Sequence, residues 1–189
     1  MEYPARIYDF GLQAVALVVG LLILAGHLVA LLRPEQTKQW LLRFPRSRML
    51  GLVVLAIDAI WFFWLMSNVD LEDFAKYRHL IQIAIPVLAA LSALFVPEFL
   101  AVRALGIMAL LAGEPIISAA FLRPEPGRLL LVIVAYIWLT LGLIWVASPY
   151  LLRDQITWVT KSANRFRTAA LCGVVCGVAV LAFGIVVRG

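Results

Sequence analysis

Apolar residues run almost unbroken in six stretches, at about residues 11–32, 49–66, 79–96, 99–122, 129–147 and 168–187, and polar residues gather between them. A helix needs roughly 20 mostly apolar residues to cross the hydrocarbon layer of a bilayer, because lipid offers the backbone no hydrogen-bond partner. Each stretch is close to that length. The pattern predicts an all-α fold, a polytopic helical membrane bundle of six transmembrane helices with short loops. It forms a single integral membrane domain over residues 1–189, with no room left for a second, soluble one.

The third and fourth stretches need argument, because Pro97 and Glu98 alone separate them. Their combined run is too long for one span, and Pro97 disfavours a continuous helix. The fourth also carries Arg103 and Glu114, which opens a re-entrant or interfacial segment as an alternative. The first stretch is longer than the ~7–15 residues of a signal-peptide core, and Arg33 follows it rather than a small-residue cleavage site, so it reads as a retained span.

Charge settles the count. The connection after the first stretch holds Arg33, Lys38, Arg43, Arg46 and Arg48 against Glu35, and the one after the fifth holds Arg153, Lys161, Arg165 and Arg167 against Asp154. Basic connections stay in the cytoplasm. Both can do so only if four crossings lie between them, which requires the third and fourth stretches to cross separately. The connection with Asp70, Glu72, Asp73, Lys76 and Arg78 is not basic and can be exported, whereas Arg123 and Arg128 in the other exported loop count mildly against the scheme. Both termini then lie outside the cytoplasm, with Glu2, Arg6 and Asp9 in a short N-terminal tail. The expected location is the cytoplasmic membrane.

Composition agrees. The chain is 64% hydrophobic and 14% charged, against about 45–50% and 25% in soluble domains. A net charge of +5 would suggest nucleic acid in a soluble protein, but here the positive residues sit in connections, where they face anionic head groups. The lipid bilayer is the implied partner, and nucleic acid is not.

Both basic connections look amphipathic. Trp40, Leu41, Leu42 and Phe44 stand among the charges of the first, and Ile156, Trp158 and Val159 among those of the second, as in short helices lying on a membrane surface. Trp61, Trp64, Trp138 and Trp145 read as aromatic anchors. The run Leu31-Leu32-Arg33 through Thr37 resembles Leu151-Leu152-Arg153 through Thr157. That hints at an internal repeat of the kind transporters use, though such short matches also recur by chance.

Asp58 is the most informative single residue, set near the middle of the second stretch. A carboxylate at the bilayer centre costs at least ~2.5–3.5 kcal/mol on insertion scales, so it should face the bundle interior and find a partner or a proton. Arg103, through its long side chain, and His27 are the expected neighbours. The cluster reads first as a structural ion pair, with a proton or ion relay as the alternative. Glu114 precedes Pro115, where a kink would make a cation site conceivable; the plainer reading is an acid wetted at the outer interface. Pro86 suggests a second kink, and His79 belongs at the outer rim.

Cys172 and Cys176 are four apart, so they share a helix face, but their spacing is not that of a thioredoxin-like pair. With Gly173 and Gly177 they sit in a small-xxx-small pattern that lets another helix approach closely. Gly173, Cys176 and Gly177 are therefore the expected helix-packing face, within the chain or in a homo-oligomer. Gly106, Ala109 and Gly113, and Ala89 and Ala93, make similar small faces.

The chain has no nucleotide-binding glycine loop, HExxH helix or GxSxG turn, and no cofactor or metal is implied. The leading expectation is a non-enzymatic membrane subunit or assembly partner of other membrane proteins. The alternative is a small proton- or ion-coupled transporter using Asp58, Arg103 and Glu114. A lipid-modifying or thiol-redox enzyme is the third and thinnest reading.

Overall fold

The computed structural model describes residues 7–96, 98–125 and 127–187. Glu2, Arg6 and Pro97 lie outside the described residues, as do the side chains of Glu72 and Asp73. Among the described residues every regular element is helical: α1 (Leu12–Leu32), α2 (Pro34–Arg43), α3 (Arg48–Asn68), α4 (Arg78–Phe95), α5 (Leu100–Ala120), α6 (Arg128–Ala147), α7 (Tyr150–Thr160) and α8 (Ala163–Val186). Short 3-10 turns cover Phe44–Arg46 and Glu72–Tyr77. Six of these helices, α1, α3, α4, α5, α6 and α8, are long and apolar enough to cross a membrane.

One boundary needs correction. The last long helix begins at Ala163 rather than near residue 168, so Arg165 and Arg167 belong to its first turns and not to the connection. Hydropathy marks where apolar residues start, whereas the helix starts where a turn can be anchored. Phe166 supplies that anchor, buried against Ala30 and Ala170. The fourth stretch is long and apolar enough to cross, as the charge argument requires. It forms α5, an uninterrupted helix from Leu100 to Ala120 that runs across Pro115, as α4 runs across Pro86. Proline is tolerated inside apolar helices when neighbours satisfy the freed carbonyl, so neither helix is broken.

Local chemistry sets several helix ends. Ser47 caps α3 by accepting from the Leu50 N–H at 3.3 Å. At the other end of α3, Arg78 donates to the carbonyls of Met66, Ser67 and Val69 at 2.7–2.9 Å, where the last carbonyls lack partners in their own helix and the helix dipole favours a cation. The tight reversal from α4 into α5 is closed by Phe99, whose φ of 55° lies in the left-handed region.

The helices pack chiefly as α1 on α8, α5 on α6, α3 on α5 and α4 on α3. The main core joins α1, α5, α6 and α8 around Leu12, Ala16, Ile116, Leu131, Ala135 and Val180. Helix α4 stands at the edge. The two amphipathic connecting helices, α2 and α7, touch each other. Leu41 and Phe44 from the first connection share a cluster with Leu152 and Ile156 of α7 and with Ala101 and Val102 at the start of α5. Both basic connections therefore lie at one end of the bundle, the arrangement that an even number of crossings between them demands. At the opposite end, Tyr8 gathers α3 and α5: Trp61 Nε1 donates to its hydroxyl at 2.6 Å, and Ser118 reaches its carbonyl at 3.5 Å.

Candidate functional site around Asp58

Asp58 is the eleventh of the 21 residues of α3. At ~1.5 Å per residue it lies about 15 Å from either helix end. Its relative exposure is 2%, and among the described residues neither carboxylate oxygen has a hydrogen-bond partner. Asp58 is among the residues lining a cavity of about 420 Å³ bounded by α3, α4 and α5, with both of its carboxylate oxygens covered. Leu55, Ala59 and Phe62 of α3 share one wall with it; Ile85, Leu88 and Ala89 of α4 and Ile107 and Leu111 of α5 form the others. Ser92 brings a hydroxyl, and Asp58 is the one ionisable group among the lining residues. Two wall residues reach the outer surface of the bundle, Leu88 at 61% exposure and Phe62 at 37%, so the cavity opens sideways near mid-depth.

The expected partners of Asp58 are elsewhere. Arg103, the fourth residue of α5, donates through Nη1 to the Val146 carbonyl of α6 at 3.2 Å, and its buried Nε has no partner. About 10 Å of helix rise separates its level from the middle of α5, and the guanidinium is engaged with α6 before it could reach inward. His27 is also committed. Its Nδ1 bonds the Ile23 carbonyl at 2.7 Å, one turn back on its own helix, and its ring lies against Gly173, where an added methyl group would fall inside the imidazole. Glu114 is exposed on α5, three residues beyond Leu111 toward the Tyr8 end. The cluster that depth alone suggested therefore separates. Along α5, Arg103 lies on one side of the cavity wall and Glu114 on the other, and of the four residues Asp58 alone is in the cavity lining.

The small-residue faces sit where helices meet. Gly177 lies against the backbone of Leu24 in α1, and Cys176 packs beside the main core. Cys172 is exposed, and both thiols are free. Gly106 and Gly142 face each other across α5 and α6, with Ala109 beside them, and Gly113 meets Leu139. Ala93 and Ala89 pack on Leu55, Leu100 and Ala104, but Ala89 also lines the cavity, so its small side chain leaves space as well as allowing contact. Among the described residues no three His, Cys, Asp or Glu side chains converge where they could hold a metal ion.

Sequence reasoning found Asp58 but missed the cavity, Ser92 and the Tyr8–Trp61 pair. A lone serine in an apolar helix is a weak signal. The void itself depends on how α4 leans on α3, which no local pattern encodes.

Among the described residues, fold and site together define an all-helical chain with six helices fit to cross a bilayer and one buried acid in the lining of a lateral cavity, which points to a multi-pass membrane protein. Comparison with protein-family models, with curated proteins and with solved structures finds no match to the chain.

Proposed function

We propose that this protein is a small proton- or cation-handling transporter of the cytoplasmic membrane, with Asp58 as the group that takes up the charge. One observation carries this: Asp58 is 2% exposed, has no hydrogen-bond partner among the described residues and lines a cavity. A structural ion pair would justify a carboxylate at that depth, but Arg103 does not supply one. Without a counter-charge the group is stable there only when it holds a proton or a cation. Glu114, exposed toward the Tyr8 end, draws cations to that side of α5, and Arg103 marks the limit of the pathway toward the basic end. By the positive-inside rule the basic end faces the cytoplasm and both chain termini lie outside.

The test is proton or cation flux into vesicles reconstituted with the purified protein. The expected result is a flux that Asp58→Asn abolishes while the variant still inserts and remains monodisperse in detergent. A second reading, a non-enzymatic membrane subunit, draws on the one-sided packing of α4, of whose apolar window 6% is buried. Wild-type vesicles without flux, together with a stable membrane protein co-purifying from gently solubilised membranes, would establish that reading instead.

A further inference from the structure

We infer that the cavity between α3, α4 and α5 takes an amphiphilic organic cation, an ammonium group on an apolar body, which enters sideways from the lipid. The inference rests on the reading of Asp58 as a cation-handling group and adds the class of guest. Three guests could neutralise the carboxyl, and the walls discriminate among them. A hard metal ion stripped of its water takes six or more oxygen ligands, and the lining side chains offer the Asp58 carboxylate and the Ser92 hydroxyl. A proton needs no cavity. An organic cation needs what is present: one counter-charge, one further polar group and a large apolar surface. The volume of about 420 Å³ falls within the ~300–1,000 Å³ of small-molecule sites, which are mostly apolar with a few placed polar groups.

The position of the opening supports the same guest. Asp58, Leu88 and Leu111 all lie near the middles of their helices, and Leu88 is exposed on the outer face of the bundle. A molecule dissolved in the acyl chains meets this opening without first passing through water. Its apolar body replaces lipid contacts with Phe62, Leu88 and Ile107, and its ammonium donates to the carboxylate once the Asp58 side chain, whose oxygens are covered in the empty fold, turns toward the guest. When the carboxyl holds a proton beforehand, binding of the ammonium releases that proton, so charge balances as one cation for one proton.

The experiment uses the full chain in lipid nanodiscs, with phenylbutylammonium as the probe and phenylbutanol as its uncharged counterpart. Calorimetry should show saturable binding of the ammonium. The alcohol should bind at least about tenfold more weakly, as should the ammonium to Asp58→Asn, since a charge-assisted hydrogen bond contributes that much. Ala89→Phe keeps the acid and fills the space; it too should weaken binding about tenfold. Equal binding of amine and alcohol, or undiminished binding to Ala89→Phe, would place the guest elsewhere and overturn the inference. Absence of ammonium binding alongside an intact Asp58-dependent proton flux would overturn the organic guest alone. Loss of both would overturn the transporter reading with it.

Discussion

Where α1 meets α8 the backbones touch, and where α4 leans on α3 and α5 a cavity of about 420 Å³ remains. A methyl group added at Gly177 would lie 2.6 Å from the Leu24 nitrogen, and one at Gly20 would lie 2.7 Å from the Leu181 nitrogen. Between apolar helices in lipid there is little hydrophobic gain from association, so close packing of small residues does the holding. The seam follows that rule on both of its helices. The crevice departs from it: 44% of the apolar window of α5 is buried but 6% of that of α4, and the residue set deepest there is an acid. The contrast separates a part of the molecule shaped for stability from a part whose composition works against stability. The latter is where function is to be sought.

The largest expected effect breaks the seam. Gly177→Leu forces the Leu24 backbone away from α8, because the obstructing atoms belong to the main chain and cannot rotate aside. Overpacking of this kind costs about 3 kcal/mol, to be read from reversible unfolding in mixed micelles. Gly26→Leu is the matched control on α1, since nothing lies within 4 Å of the added carbon; it should change stability by less than about 0.5 kcal/mol. Equal losses for the two variants would mean that leucine perturbs the helix and not the contact.

The seam and the crevice also differ in how far the sequence announces them. The six long helices follow from hydropathy, because lipid makes length and apolarity obligatory. That α2 and α7 share one end follows from Arg33 through Arg48 and from Arg153 and Lys161, since charge asymmetry reflects topology. The spacing of Gly173 and Gly177 marks a close-contact face, although it cannot say that α1 is the helix received. The Asp58 site was half legible. Its depth and oddity are written in the chain, but its neighbours depend on the rotation of each helix about its own axis. A residue count along the spans brings Arg103 and His27 within reach of it. Packing turns Arg103 to the Val146 carbonyl and His27 to Gly173, which depth alone does not encode. The α8 boundary was misjudged for a similar reason, because Phe166 anchors a turn among charged residues.

A smaller effect, opposite in sign, tests the crevice. Asp58→Leu removes a carboxyl that has no partner and places apolar volume beside the cavity. It should raise stability by about 2 kcal/mol, within the range by which apolar residues outperform buried charges, and it should eliminate the proposed transport. Unfolding under the conditions used for the glycine variants gives the measurement. If the variant loses stability instead, Asp58 is holding the fold together and the contrast between the two regions collapses.

The smallest effect lies at the end of the bundle opposite the basic connections, where Tyr8 links seam and crevice by joining the start of α1 to α3 and α5. Trp61→Phe removes the indole donor to the Tyr8 hydroxyl and should cost about 1 kcal/mol. The same contact predicts an alkaline signature. The Tyr8 phenol is held above its ordinary value of 10.0, chiefly by burial and further by the nearby Glu114 carboxylate, while the Trp61 hydrogen bond works in the other direction. The folded chain therefore keeps the phenolic proton at a pH where the unfolded chain has lost it. The resulting stabilisation is complete below about pH 10 and disappears as pH rises through the folded-state value. In unfolding curves taken at rising alkaline pH, Tyr8→Phe should lack this decline. Trp61→Phe should begin it at the same pH and carry it further, because loss of the indole donor raises the folded value and leaves the unfolded one unchanged. Identical alkaline slopes in wild type and Tyr8→Phe would show that Tyr8 is not what ties the start of α1 to α3 and α5.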